Sequence, residues 1–171
     1  EIEMHLHHNH MNPFPDNHET LKEKILTCIE DYSKYGIFCL PDGGKKFAFI
    51  HGDWSLDNSR GRAFCGVNNE ISILKACGCY ADFTMPSLGV AQSAMVNSIY
   101  YVSDDPDKPK SYNRGKLLVA KGKPTGDLLM IQGIIGFRWR SRTHLLYPSI
   151  EASNLGFSDI PTKERIDYWV K

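Results

Sequence analysis

Four of the seven histidines lie within six residues near the start of the chain, at His5, His7, His8 and His10. Apolar and polar residues alternate through this stretch, which predicts a β-strand with His5 and His7 on one face. Residues i and i+2 of a strand are about 6.6–6.8 Å apart. Two such imidazoles can converge on one ion, because Zn–N bonds are about 2.0–2.1 Å long. The stretch predicts a metal or catalytic site; a tag remnant and a polar surface loop are the alternatives.

A second polar group, which begins at His51, follows the next predicted strand. His51 is interpreted as a third ligand, as a general acid or base, or as a core histidine bonded to backbone. Asp53 and Asp57 are candidate carboxylate ligands or bases. Cys65 is a weaker candidate nucleophile, because nothing in the sequence activates its thiol.

Three further residues of this segment have types that suit substrate binding. Trp54 is either a platform on which a sugar ring stacks or a packing aromatic. Arg60 either neutralises a substrate anion or pairs with an aspartate. Asn58 completes this group of substrate-binding candidates.

Strands and helices alternate in the first half of the chain, which places these residues at strand ends. Periodicity predicts a helix over 18–35 with Asn17 as its N-cap, a strand over 46–51, a helix that begins near Asn68, and a strand over 79–84. Glu70 lies near the positive end of the second helix. This order is typical of a parallel α/β sheet or barrel, in which chemistry gathers at the C-terminal strand ends. Asp82 and Thr84 complete the polar residues at such ends.

The second half of the sequence is more β-rich. It predicts short strands over 97–102, 116–120 and 127–132, and a C-terminal helix that begins near Pro161. We therefore expect one α/β domain over residues 1–171, with its N-terminal strand or strands lying before Glu1.

Composition and missing motifs exclude several functions. Twenty basic and twenty acidic residues give no net charge, which argues against nucleic acid as a partner. No apolar run of about 18 residues predicts a membrane span. Five cysteines without a regular framework favour reduced thiols and a cytoplasmic location. Walker A, Rossmann and Gly-x-Ser-x-Gly motifs are absent, so metal-activated hydrolysis fits the His/Asp inventory best.

Five segments resemble bacterial proteins related to polysaccharide deacetylases, of the NodB-like glycoside hydrolase/deacetylase superfamily. They are residues 1–8, 49–59, 65–70, 78–86 and 126–133. The resemblance implies a partial or distorted (β/α) barrel, a divalent metal at its mouth and hydrolysis of an acetyl group on a sugar. It also implies an early Asp-Asp segment, expected before Glu1, and a His-x-x-x-His pair. The fourth position after His5 is Asn9, so His5 and His7 are expected to replace that pair.

Together these observations predict a metal-dependent deacetylase-like hydrolase that acts on an acetylated amino sugar or polysaccharide precursor. The cofactor is expected to be a divalent metal ion, zinc by its donors. The expected ligands are His5, His7 and Asp57, and the expected catalytic residues are His51 and Asp53.

Some assignments stay open at this stage. His8 is an alternative to Asp57 as a further ligand. An amidohydrolase-like barrel also carries an early His-x-His, but it needs a carboxylated lysine or further histidines on later strands. A non-catalytic carbohydrate-binding or assembly protein is the third possibility, with Tyr100, Tyr101, Trp139 and arginines as its binding residues.

Overall fold

The structure is a computed structural model that describes residues 2–8, 14–139, 147–152 and 160–170. It is a mixed α/β fold with one six-stranded sheet and one two-stranded sheet. The strands are β1 (Glu3–Leu6), β2 (Phe47–His51), β3 (Cys79–Asp82), β4 (Ile99–Val102), β5 (Lys116–Leu117), β6 (Leu128–Ile131), β7 (Gly136–Arg138) and β8 (Ser149–Glu151). The α-helices are α1 (His18–Ser33), α2 (Glu70–Ala76) and α3 (Lys163–Trp169).

The order of the large sheet is β1-β2-β3-β6-β4-β5. Strands β1, β2, β3 and β6 run parallel, and β4 pairs antiparallel with both β6 and β5. The predicted succession of strand, helix, strand, helix and strand is therefore confirmed. The small sheet pairs β7 with β8 in antiparallel fashion.

Helix α1 packs one apolar face into the hydrophobic core. Leu21, Ile25 and Ile29 recur every four residues and are buried. Burying such a side chain contributes about 1.5–3 kcal/mol each. The predicted N-cap is confirmed, because the Asn17 side chain accepts the N–H groups of Glu19 and Thr20. The cap fixes where α1 begins, and the apolar face fixes which side of α1 is buried.

Strand β2 is buried along its length, which explains its continuous apolar sequence. Phe47 and Phe49 belong to the core with Met4 of β1, Leu74 of α2 and Tyr100 of β4. Burial on both sides holds the end of β2 rigidly. The polar segment after His51 therefore starts from a fixed point.

Two predicted elements differ from the structure. Helix α2 begins at Glu70 with Asn69 as its N-cap, one residue later than expected, and the Asn69 side chain makes no cap bond. Asn68 instead accepts a hydrogen bond from Asn58. The strand expected over 116–120 pairs only over Lys116–Leu117.

The helices were also compared with the length that a membrane span requires. Within the described residues, no helix is long and apolar enough to cross a membrane.

Candidate metal centre

The ends of β1 and β2 lie side by side and bring the two histidine segments together. The two strands are parallel, and Leu6 is paired with His51. His7 and His8 therefore follow β1 at the level where the loop after β2 begins. Lys24 of α1 donates to the His8 carbonyl oxygen at 2.7 Å, which ties this backbone to the helix.

A cluster of four potential ligands is buried at this strand edge; we call it the buried cluster. Its members are His8, His51, Cys65 and Glu70, and their donor atoms all lie within 4.8 Å of one another. His51 Nε2 is 3.7 Å from Glu70 Oε1, and the Cys65 thiol donates to Glu70 Oε2 at 3.3 Å. His8 Nε2 contacts Glu70 Oε1. Four elements or loops thus direct their donors to one point.

The hydrogen bonds of His51 fix its tautomer. Its Nδ1–H donates to the Gly52 carbonyl oxygen at 2.5 Å, so Nε2 carries the lone pair in the neutral ring. That Nε2 faces Glu70 and has no hydrogen-bond partner among the described residues. A buried lone pair that faces a carboxylate is costly unless a cation or a proton lies between them. His8 Nδ1 is likewise without a described partner.

Glu70 provides the negative charge of the buried cluster. It is fully buried as the first residue of α2, and the Asp57 N–H donates to its Oε2 at 2.6 Å. Burial alone would raise the pKa of Glu70, but attraction to His51 and His8 and these hydrogen bonds lower it to about 2. Burial lowers the pKa of His51 to about 4, against the attraction of Glu70. At neutral pH the pair is therefore a carboxylate and a neutral imidazole.

This donor set fits a borderline metal ion such as zinc. Two imidazoles, one carboxylate and one thiol are all zinc ligands, and four donors suit its tetrahedral geometry. Burial, followed by the charge of Glu70, strongly raises the pKa of the Cys65 thiol. Cys65 is therefore a protonated thiol next to Glu70, and it can bind an ion only after losing that proton.

A second histidine group lies at the surface beside the same strand ends. The Nε2 atoms of His5 and His7 are 3.1 Å apart, as expected for residues that share a face of the strand. His7 Nδ1–H donates to Asp53 Oδ2 at 3.1 Å. Burial, together with the charge of His7, lowers the pKa of His5. A Cβ atom at Gly52 would overlap the His7 ring, so only glycine allows this approach.

None of the three expected ligands, His5, His7 and Asp57, belongs to the buried cluster; Asp57 lies beside it. Asp57 is buried, and its carboxyl group accepts a hydrogen bond from the Ser111 N–H at 2.6 Å. The backbone N–H of Asp57 donates a hydrogen bond to the Glu70 carboxylate. Burial raises the pKa of Asp57 to about 8, although the Ser111 hydrogen bond opposes the shift. Asp57 thus positions Glu70 from the side.

The expected substrate-binding residues shape the loop after β2. Trp54 is 46% exposed, so its ring is available to a ligand. Arg60 lies over the Phe64 ring at 4.3 Å and donates to the Asp53 carbonyl oxygen at 2.9 Å. Asn58 accepts the Gly66 N–H and donates to Asn68.

The same loop stores backbone strain. Asp53, Trp54, Asp57 and Asn58 all have φ between 50° and 57°, which side chains other than glycine rarely adopt. Such backbone conformations persist where the surrounding structure imposes them, and they are found more often at functional sites than elsewhere. Along the chain, the strained loop lies between His51 and the two later members of the buried cluster, Cys65 and Glu70.

Sequence reasoning missed Glu70 as a candidate ligand and ranked Cys65 only as a nucleophile. Both occur in one short segment, Cys65-Gly66-Val67-Asn68-Asn69-Glu70. The available signal was a carboxylate at the start of an amphipathic helix that follows a cysteine.

Comparison with known protein families, with curated proteins and with solved structures gives no match for this chain.

Proposed function

We propose that this protein is a metal-dependent hydrolase of the carbohydrate deacetylase type, with its metal ion held by the buried cluster. The observation that carries the proposal is the lone pair of His51 Nε2, buried without a described partner and 3.7 Å from a carboxylate. A divalent cation between them would give His51 Nε2 its missing partner and balance the charge of Glu70. We assign His8 and His51 as neutral imidazole ligands, Glu70 as the anionic ligand and Cys65 as the fourth donor.

The hydrolase assignment is supported by the position of the cluster and by the resemblance of the five sequence segments. The cluster lies at the carboxyl ends of two parallel strands, where α/β enzymes place their chemistry. A bound ion would polarise the acetyl carbonyl and lower the pKa of water. Asp57 holds one oxygen of Glu70, which leaves the other facing the two imidazoles. In this proposal the fold is a distorted deacetylase barrel.

A groove beside the cluster supports access for a substrate. It has a volume of about 630 Å³ and lies between β1 and α1, with Leu6, His7, His8, Lys24 and Tyr32 among its lining residues. His8 thus borders both the buried cluster and the groove. A sugar ring is small enough for such a volume, since ligand sites measure about 300–1,000 Å³.

Burial favours a second candidate function. The side chains of His8, His51 and Glu70 are 0% exposed, and structural zinc sites are closed to solvent, whereas catalytic sites keep an open position. A structural ion would fasten β1, β2 and α2 together in a non-catalytic carbohydrate-binding protein.

One set of measurements tests both candidates. The full chain is stripped with a chelator, reloaded with zinc and assayed for acetate release from N-acetylglucosamine oligomers. We expect wild type to regain metal and activity, and Glu70→Gln to lose activity together with the metal equivalent of the buried cluster. Glu30→Gln, an exposed residue of α1, is the matched control. If wild type binds a metal equivalent that Glu70→Gln loses, but releases no acetate, the structural candidate is favoured. A metal content in Glu70→Gln equal to that of wild type would overturn the site.

A further inference from the structure

The surface group of His5, His7 and Asp53 is separate from the buried cluster. The His8 side chain contacts Glu70 inside the fold, whereas the His7 side chain contacts Asp53 and is 41% exposed. Successive residues of β1 and its extension therefore direct imidazoles to two different places. The buried cluster does not use His5 or His7, so their convergence needs its own explanation.

We propose that His5 and His7 form a second, surface metal site for a divalent cation that prefers imidazole ligands, such as Zn²⁺ or Cu²⁺, with Asp53 positioning His7. The site does not depend on the proposed hydrolase activity.

The distance between the two rings suits a shared ion. Two nitrogens bound to one zinc ion at about 2.0–2.1 Å, at a tetrahedral angle, are about 3.3 Å apart. The Nε2 atoms of His5 and His7 are 3.1 Å apart. Their ring centroids are 5.0 Å apart with the planes tilted by 55°. An ion can approach from solvent because both residues are exposed.

Asp53 sets the tautomer that such a site requires. Because His7 Nδ1–H donates to Asp53 Oδ2 at 3.1 Å, the lone pair of the neutral ring lies on Nε2, the atom that faces His5. A carboxylate behind a ligating histidine fixes its orientation and raises its basicity. Without a metal, His5 Nε2–H would donate to His7 Nε2. On metal binding, the His5 proton would move through solvent to Nδ1, which frees the Nε2 lone pair for the cation.

The loop after β2 is built to hold this carboxylate in place. Asp53 has φ 57°, a left-handed conformation, and Arg60 donates to its carbonyl oxygen at 2.9 Å. The missing Cβ of Gly52 leaves room for the His7 ring. Three separate features of the loop thus bring a carboxylate to His7 Nδ1.

Calorimetric titration of the chelator-stripped full chain with Zn²⁺ tests this site. We expect two equivalents for wild type and one for His5→Ala/His7→Ala, which changes only exposed side chains. His18→Ala, at another exposed histidine, should keep both equivalents. Identical stoichiometry and affinity in wild type and the double variant would overturn the proposal. One equivalent in wild type and none in the double variant would support this site and contradict the buried one.

Asp53→Asn tests the positioning role, because asparagine tolerates left-handed backbone better than other non-glycine residues. The variant keeps a hydrogen-bond acceptor and loses the charge. We expect zinc affinity to fall by about tenfold or more at the surface site and to stay unchanged at the buried one. If the surface site of Asp53→Asn binds zinc with the same affinity as the surface site of wild type, the positioning role of Asp53 is contradicted.

Discussion

His51 Nε2 faces Glu70 Oε1 at 3.7 Å, with the opposite ring nitrogen of His51 committed to the Gly52 carbonyl oxygen. The imidazole therefore cannot donate a proton to the carboxylate while it is neutral. Two acceptors face each other inside the core, next to His8 and Cys65. Hydrogen bonds from His8, Asp57 and Cys65 reach Glu70, but His51 Nε2 is left without a described partner, and the proposed cation would supply one.

Zinc should stabilise the fold through the buried cluster. In the His5→Ala/His7→Ala background, which isolates this site, zinc at 100 times its Kd should add about 2.7 kcal/mol to the free energy of unfolding. For a chain of this size, that corresponds to a Tm increase of about 5–10 °C. Thermal denaturation followed by circular dichroism measures the shift with and without zinc.

His51→Phe is the matched variant for that measurement, because it fills the ring volume without a ligand atom. Its own Tm is compared with and without zinc, so any general loss of stability cancels. We expect no zinc-dependent shift. A shift equal to that of the parent would show that His51 is not a ligand.

Cobalt spectroscopy should reveal Cys65 as the fourth donor. Co²⁺ bound to a thiolate gives a charge-transfer absorption in the near ultraviolet, which imidazole and carboxylate ligands do not give. We expect this band in wild type and not in Cys65→Ser, while weaker visible bands persist through His8, His51 and Glu70. Cys28→Ser, a partly buried cysteine of α1, should keep the full spectrum. A band that survives in Cys65→Ser would assign the sulfur ligand elsewhere.

The sequence predicted the elements that carry the site better than the ligands themselves. Asn17, the apolar face of α1 and the buried β2 follow from local chemistry and periodicity, and all three are confirmed. The convergence of His5 and His7 also follows from strand geometry. Insertion of β6 between β3 and β4 does not, because periodicity carries no information on long-range pairing.

Glu70 shows why the buried cluster was not predicted. A glutamate at the start of a helix is commonly an exposed partner of the helix dipole, and the sequence alone favoured that role. Its burial results from the fold, because the Asp57 N–H and the His8 ring meet it from distant segments. His8 was predicted only as an alternative ligand to Asp57, and its burial likewise results from the fold.

Gly52→Ala should impair the surface site selectively. An added Cβ overlaps the His7 ring, so the ring must move away from Asp53 and His5. Calorimetry should then show loss or marked weakening of the zinc equivalent that depends on His5 and His7, with the buried equivalent retained. Gly61→Ala is the control, because its Cβ meets open space and only its backbone is strained. Unchanged binding at both sites in Gly52→Ala would mean that His7 adapts without losing its metal geometry.

Asp82 should make stability depend on pH between about 4 and 7. It is fully buried at the end of β3, and burial raises its pKa from 3.8 to about 7, although hydrogen bonds from Thr84 oppose the shift. The folded state therefore holds this proton more tightly than the unfolded state. The contribution of Asp82 to the free energy of unfolding is fully present below about pH 4. It declines as the pH rises to about 7, by on the order of 4 kcal/mol.

Asp82→Asn removes this titration while an amide keeps polar contact with Thr84. Urea denaturation at several pH values should therefore show a smaller decline in stability between pH 4 and pH 7 in the variant than in wild type. Asp127 provides the contrast, since hydrogen bonds from Lys75 and the Asp104 N–H lower its pKa. Its contribution has the opposite sign and is lost as the pH falls, so Asp127→Asn should leave the decline in place. Parallel curves for wild type and Asp82→Asn would show that the Asp82 carboxyl is already ionised at low pH in the fold.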